Sequence, residues 1–481
     1  MQSHKVSEGV WQIDPDQKTG MNVPAKIYAS DDLIGSMDEG VYEQITNVAC
    51  LPGIVKQAMV MPDGHWGYGF PIGGVAAFSI PDGVISPGGI GFDINCGIRL
   101  LRTNLTEEEV KPRLSELVNL FFEMIPTGVG CKGFVHLDRK TFLDVMRNGV
   151  KWCRDNGYAT EADYDSIEDN GHLRWADPSK VSEKAIKRGI SQLGTLGSGN
   201  HFLEIEVVRD NNIFDRETAF KLGIDRPNQI VLAIHCGSRG FGHQIATDYL
   251  RSFNEALPKY GFKVRDRELA CAPFESIEGQ NYYGAMACAA NNAFANRQVI
   301  THQIRKAFSQ IFGKSDQELG ISTIYDVAHN IAKKEKHVVD GHPMEVLVHR
   351  KGATRSFGPD RQELPSRYKG LGQPVIVGGS MQSGSYLLIG SKNAENETFG
   401  STLHGSGRTM SRMKAKKMIR GNKLRQQMQS EGIYVKAASM PGLAEEADFA
   451  YKNIDDVVEA VNHLGFSRRV AKLLPLGNIK G

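Results

Sequence analysis

The chain lacks what would place it in a membrane or in a disulfide or zinc-ribbon framework. No run approaches the roughly eighteen apolar residues that span a bilayer, and the N-terminus, MQSHKVSEGVWQID, shows no basic region followed by an apolar stretch. Its seven cysteines (Cys50, Cys96, Cys131, Cys153, Cys236, Cys271, Cys288) are odd in number, scattered and never C-x-x-C. Charge of one sign is also missing: 57 basic and 55 acidic residues leave +2, so any nucleic-acid surface must be a local patch. There is no Walker loop, and no G-x-G-x-x-G stands between a strand and a helix. A soluble, cytoplasmic protein with no membrane partner is expected.

What is present is an ordinary globular composition, 41% hydrophobic and 23% charged over 481 residues, ample for a large buried core. Five histidines stand among glycines, in MPDGHWGYGF, GSGNHFLE, HCGSRGFG, DVAHN and HGSGR: His65, His201, His235, His329 and His404. If they share one site, residues 1–481 form a single large domain. Taken one at a time, each histidine reads as a structural residue; their joint placement points to loops converging on a charged ligand or metal.

Helical spacing is expected over 106–125 (Val110, Leu114, Leu117, Phe121, Met124), 138–155, 179–192 and 277–312. The last is rich in alanine and asparagine, with no chemistry assigned to it. Short β-branched runs predict strands at 229–234, 321–327, 344–349, 374–379 and 385–390. Without a regular βαβ rhythm this mixture implies an α+β fold, with central sheets, surrounding helices and a deep active-site cleft. The polar stretch 155–175 is the one candidate surface loop or insertion.

In GGIGFDINCGIRL, Asp93 and Cys96 lie three apart, a spacing at which a carboxylate and a thiolate face one ion. Alone, the pair reads as a surface aspartate and a buried cysteine acting as a small hydrophobe. With His201, His235 and His329 the donors suffice for one tetrahedral site, or for two ions sharing the sulfur. Cysteine and histidine favour zinc, whereas the carboxylate and open positions for phosphate oxygens leave room for manganese. GTLGSGNHF, VGGSMQSGS and HGSGR are glycine-rich turns whose N–H groups can approach an anion closely. After the last of these, Arg408, Arg412, Lys416 and Arg420 recur every four residues and read as a basic stripe on one helix. Such a stripe is either a solvated face or a phosphate-binding one.

GFDINCG, LGTLGSGNHFLE, HCGSRGFGHQ, DVAHN, HGSGR-x-MSR and LPLGNIKG, in this order over essentially the whole chain, resemble the RtcB-type RNA ligases. The chain departs from that pattern in reading Gly378-Gly379-Ser380-Met381-Gln382 where P-G-S-M-G is usual, and in Cys236, where a small hydroxyl residue is common. The resemblance implies a GTP- and manganese-dependent ligase joining RNA 2′,3′-cyclic phosphate or 3′-phosphate ends to 5′-hydroxyl ends, as in tRNA splicing and RNA repair. It implies that His404 is guanylylated, and that Asp93, Cys96, His201, His235 and His329 hold two Mn²⁺ with Cys96 bridging. By the same resemblance Asn200, His201, Phe202, Leu203, Glu204, His329, Asn330, Gly378, Gly379, Ser380, Met381, Ser385, His404, Gly405, Ser406, Gly407, Tyr451 and Lys480 fall at guanine-nucleotide positions. Asp63, His65, Arg239, Arg408 and Arg412 would hold RNA. Glu204 has a physical reason to select GTP, because a carboxylate accepts from guanine N1–H and N2–H. Lys480 reaches a nucleotide only if the chain end folds into the site. The rival classes are a metal-dependent phosphoesterase acting on nucleic acid and a noncatalytic RNA-binding module. The physiological RNA, whether tRNA halves or broken RNA, and the part of an activating protein such as archease stay open.

Overall fold

The short β-branched runs do become strands, and the computed structural model, which describes residues 3–481, gathers most of them into two large sheets. One has the order His4–Ser7, Val10–Ile13, Ala25–Tyr28, Ile54–His65, Ile72–Ser79, His342–Lys351 and Asn330–Val339. The other runs Ser322–Ala328, Gly97–Thr106, Gln229–Cys236, Phe202–Val208, Ser467–Lys480, Ser385–Gly390 and Pro374–Val377. Every neighbour in this second series is antiparallel. Tyr434–Ala437 adds a parallel partner to Ser467–Lys480. Helices and strands are interleaved along the chain without a regular βαβ alternation, and the helices pack around the mixed sheets.

Ile277–Phe312 is one 36-residue helix, as its periodicity predicts, about 54 Å long at 1.5 Å per residue. It is buried over most of its length, and its alanines let neighbouring elements approach closely. The other helical segments are more broken than expected. Pro112 splits 106–125 into Glu107–Val110, a 3₁₀ turn Lys111–Arg113 and Leu114–Met124. Gly149, at φ 53°, separates Arg139–Asn148 from Val150–Asp155. In 179–192 only Glu183–Gly189 is α-helical.

Residues 155–175 hold the short helix Glu161–Tyr164 and are tied to the body by buried charge. Asp163 takes the Arg305 guanidinium at 2.6 and 2.7 Å, and Glu168 pairs with Lys333 and Arg355 at 2.9 Å each. Such pairs hold a segment in place more than they raise stability, since desolvation offsets most of the attraction. Among the described residues no helix is long and apolar enough to cross a membrane.

Candidate active site

An antiparallel sheet brings strand starts and strand ends together at one edge, and here that edge is chemical. His329 follows the strand Ser322–Ala328, Cys96 precedes Gly97–Thr106, His235 lies near the end of Gln229–Cys236 and His201 precedes Phe202–Val208. Lys480 ends the C-terminal strand, paired in register with Phe202, which in turn pairs with His235. The chain end is thus a strand inside the sheet and not a frayed tail. His329 also marks the point where the chain leaves one large sheet and enters the other at Asn330.

The D-x-x-C spacing is a turn: Cys96 N–H donates to Asp93 O at 3.0 Å, with Asn95 at φ 57°. Cys96 Sγ then stands 3.5 Å from His201 Nε2 and 3.3 Å from His235 Nε2. His235 Nε2 is 3.3 Å from His329 Nε2, and Asp93 Oδ2 is 2.8 Å from His201 Nε2. Cys96, His235 and His329 form one donor group; Asp93, Cys96 and His201 form another, sharing the sulfur. Donors held tetrahedrally at the usual zinc distances stand about 3.3–3.6 Å apart, so the first group is already spaced for an ion. Burial, reinforced by neighbouring positive groups, keeps His235 and His329 well below their ordinary pKa. They are neutral, as ligation demands, with their Nε2 atoms facing each other. Burial and then Asp93 push the Cys96 thiol up; a bound divalent ion is what makes it a thiolate. A Cβ at Gly237 would lie 2.4 Å from Asp93 Oδ2, so glycine is required there.

His404 follows the short strand Ser401–Leu403 and packs edge-on against His329, ring centroids 4.8 Å apart. Asp63, fully buried, accepts from His404 Nδ1 at 2.7 Å and from the N–H groups of His404 and Gly405 at 3.0 and 3.2 Å. Burial pushes its carboxyl up, but His404 outweighs this and holds it below the usual range. With Nδ1 committed to Asp63, Nε2 keeps the lone pair, the arrangement a neutral imidazole nucleophile needs. Gly407, at φ 73°, packs on the Asp63 backbone, where a Cβ would come within 2.1 Å of Asp63 O. Asp63 therefore positions the His404 ring, a contact the sequence did not signal.

A cavity of about 770 Å³ opens over this edge, lined by Cys96, His235, His329, His404, Glu204 and Lys480. Asn200, Phe202, Tyr451 and the 378–381 and 405–407 loops also face it. The two loops are joined by Ser406 N–H to Gly378 O at 3.0 Å and Gly378 N–H to His404 O at 3.3 Å; proline at 378 could not donate the second. Gln382 turns outward to Glu431 at 2.8 Å, so both departures are accommodated. Leu203 points the other way, into the apolar core with Leu101 and Leu232. Asn330 ties Asp93 O to Gly352 N–H, at 3.1 and 2.8 Å. Ser385 begins its strand, buried and paired with Leu473, outside the cavity lining. Burial pushes Glu204 up to about 7, and burial and then Glu204 hold Glu206, two residues on, well above the usual carboxylate range; Asn478 donates to Glu204 at 2.6 Å.

The basic stripe is not one helix face. Only Arg412–Met418 is helical, Arg408 lying before it and Arg420 capping the next helix. Arg408 and Arg412 turn instead onto Glu446, at 3.5 and 3.2 Å, with Lys480 3.7 Å from the same carboxylate. Burial pushes Glu446 up, but Lys480, Arg412 and Arg408 bring it down to about 2. Glu446 thus sits among three cations beside the cavity, with Glu445 also 3.8 Å from Arg412. Nothing in AEEADF marked Glu446 over Glu445. Arg239 NH1 contacts His201 Nδ1 at 2.6 Å and its guanidinium covers Gly197, behind the metal ligands and away from the cavity lining. His65 does line the cavity, its Nδ1 2.9 Å from Asp63 O. Lys452, also unforeseen, clamps this loop through Pro62 O and Gly64 O at 3.0 and 2.8 Å.

The long helix, given no role from sequence, supports the candidate metal ligands. Arg297, fully buried, donates to Asn95 O at 2.9 Å and Cys236 O at 2.7 Å, the carbonyls beside Cys96 and His235, while Asp326 holds its other edge at 2.9 and 3.0 Å. Asn296 holds Gly194 N–H at 2.7 Å and Thr195 N–H at 3.0 Å in the loop leading to His201. Arg297→Met is expected to weaken divalent-ion binding about 10- to 100-fold, the usual effect of removing outer support, as read by calorimetric titration with Mn(II).

Comparison with known proteins agrees with this geometry. The family model described as tRNA-splicing ligase RtcB matches residues 44–481. The chain is 51% identical over 477 residues to the tRNA-splicing ligase RtcB of Methanococcus maripaludis, covering 99% of each chain. It is 50% identical over 477 residues to that of Archaeoglobus fulgidus, covering 99% of this chain and 98% of the relative. To that of Pyrobaculum aerophilum it is 50% identical over 481 residues, 99% of each. With the motif residues gathered at one cavity and the match running nearly end to end, the chain belongs to the RtcB family of RNA ligases.

Proposed function

We propose that this enzyme joins an RNA end bearing a 2′,3′-cyclic phosphate or 3′-phosphate to a 5′-hydroxyl end, using GTP and two Mn²⁺ ions, through a guanylylated His404. The observation that carries this is Asp63 holding His404 Nδ1, which leaves Nε2 free beside the cluster of Cys96, His235 and His329. His404 Nε2 attacks the GTP α-phosphorus and pyrophosphate leaves. Asp63 offsets the positive charge that grows on the ring. The cyclic phosphate is hydrolysed to a 3′-phosphate, whose oxygen takes GMP as the N–P bond breaks. The 5′-hydroxyl then attacks the 3′-phosphorus, forms the phosphodiester and expels GMP. When bound, the metal ions would neutralise phosphate charge and orient the in-line displacement; Asp93, Cys96, His201, His235 and His329 would hold them. Arg408, Arg412 and Lys480 add fixed positive charge that Glu446 keeps in register. tRNA halves or broken RNA in the cytoplasm are the substrates this chemistry serves.

The test is incubation with labelled GTP and Mn²⁺, followed by mass spectrometry and an end-joining assay. The expected result is one acid-labile guanylyl group on His404 and a joined product. Joining without GTP or without a covalent nucleotide sinks the guanylylated-histidine route, and hydrolysis of phosphate ends with no joined product leaves a phosphoesterase.

Glu204 sets a pH dependence. Its carboxyl, raised to about 7 by burial, must be ionised to accept two guanine N–H groups. GTP affinity is expected to fall as pH drops below about 7, and binding there to release a proton. Glu204→Gln should remove this dependence and weaken GTP about 10- to 100-fold, the worth of a charge-assisted hydrogen bond. Fluorescent GTP-analogue titration across pH reads both.

A further inference from the structure

Two aromatic rings stand in solvent at the lip of the catalytic cavity: Trp66 is 65% exposed and Tyr68 62%, and both line its mouth. Their backbone is pinned on every side. Gln44 donates to Gly67 O at 2.6 Å and accepts from Gly67 N–H at 3.1 Å. Lys351 Nζ donates to Tyr68 O at 2.6 Å and Phe70 O at 2.9 Å, and Lys452 holds Pro62 and Gly64. Tyr68 meets Phe92 edge-on at 5.9 Å, and Phe92 stacks on His243 at 5.0 Å. The rings are therefore held out by a rigid loop, at the hydration cost of exposed apolar surface. The same cavity is lined by Arg412 and the exposed Met413. Trp66 follows Asp63 by three residues, at most about 11 Å along the chain, and Asp63 holds His404.

We infer that Trp66 and Tyr68 form a stacking platform for the unpaired bases that flank the RNA break. The inference rests on the ligase reading above. An RNA end that reaches His404 passes this lip; its bases have flat faces for the rings, and its phosphates lie within the field of Arg412. Stacking is blind to base identity and needs the base free of its pairing partner. The platform thus selects frayed or looped ends over paired ones, without reading sequence. An aromatic stack contributes about 5- to 150-fold in affinity per base.

The test uses RNA ending in an unpaired 2-aminopurine, and the same RNA abasic at that position, with the full chain. The platform predicts fluorescence quenching by the unaltered protein, a 5- to 150-fold affinity loss in Trp66→Ala, and near-complete rescue in Trp66→Phe. Abasic RNA should bind the unaltered protein and Trp66→Ala alike. Phe220→Ala, which removes an exposed ring outside the cavity lining, should bind as the unaltered protein does. The proposal is overturned if abasic and intact RNA bind the unaltered protein equally, or if the Trp66→Ala loss persists undiminished on abasic RNA. Unchanged RNA affinity in Trp66→Ala also overturns it and assigns the rings to a protein partner. Failure of the unaltered protein to take up GTP refutes the ligase reading instead, a separate result.

Discussion

Cys96→Ala is expected to abolish binding of both metal ions and to lower RNA joining about 10³- to 10⁴-fold, the effect of losing several kcal/mol of charge stabilisation. The sulfur is the one donor common to both ligand groups, 3.5 Å from His201 Nε2 and 3.3 Å from His235 Nε2. Removing His201 or His329 takes one ligand from one group; removing Cys96 takes one from each. The fold should survive, because a cysteine side chain is small and its loss from a core costs only about 1 kcal/mol. Cys236→Ala is the control. It neighbours His235 on the opposite face of the strand, where Sγ accepts from Asn296 Nδ2 at 3.3 Å. Metal stoichiometry by elemental analysis should fall to zero for Cys96→Ala and stay unchanged for Cys236→Ala. Retention of a full metal complement in Cys96→Ala would show that the sulfur does not bridge.

His404→Ala should leave no covalent nucleotide at any time, whereas Asp63→Asn should form one about 10²-fold more slowly. The distinction follows from geometry. One Asp63 oxygen accepts from His404 Nδ1 and from two backbone N–H groups. An asparagine carbonyl can occupy the same place and keep the ring oriented, but it brings no charge to offset the cation that develops as Nε2 attacks phosphorus. The difference between a charged and a neutral hydrogen bond is worth roughly 1–3 kcal/mol, or up to about 10²-fold. Rapid-quench measurement of guanylylation separates the two variants. Equal rates for Asp63→Asn and the unaltered protein would show that Asp63 serves only the loop.

Much of the site was legible because its residues stand in short motifs. His201, His235 and His329 each follow or precede an apolar run, and such runs become strands whose ends meet at one sheet edge. Glu204 lies three residues from His201, near enough that the strand Phe202–Val208 carries the acidic group directly after the histidine. Periodicity located the long helix to the residue because no proline or interior break interrupts it. It overreached at 106–125 and along 408–420, where spacing alone does not register Pro112 or the turn before Arg412.

Other parts were not legible. Asp63 and His404 are 341 residues apart, and Arg297 lies 202 residues from the Asn95 carbonyl it supports. Glu446 looked like any surface glutamate until the C-terminal strand brought Lys480 beside it. By itself, then, the sequence determined the candidate donors, the main strands and the family, because these depend on residue type and near-neighbour spacing. Only the tertiary structure decided which oxygen holds His404, which buried cation supports the loops of the candidate donors, and which carboxylate the basic residues pair with. Those are matters of through-space distance and desolvation, which chain order does not encode locally.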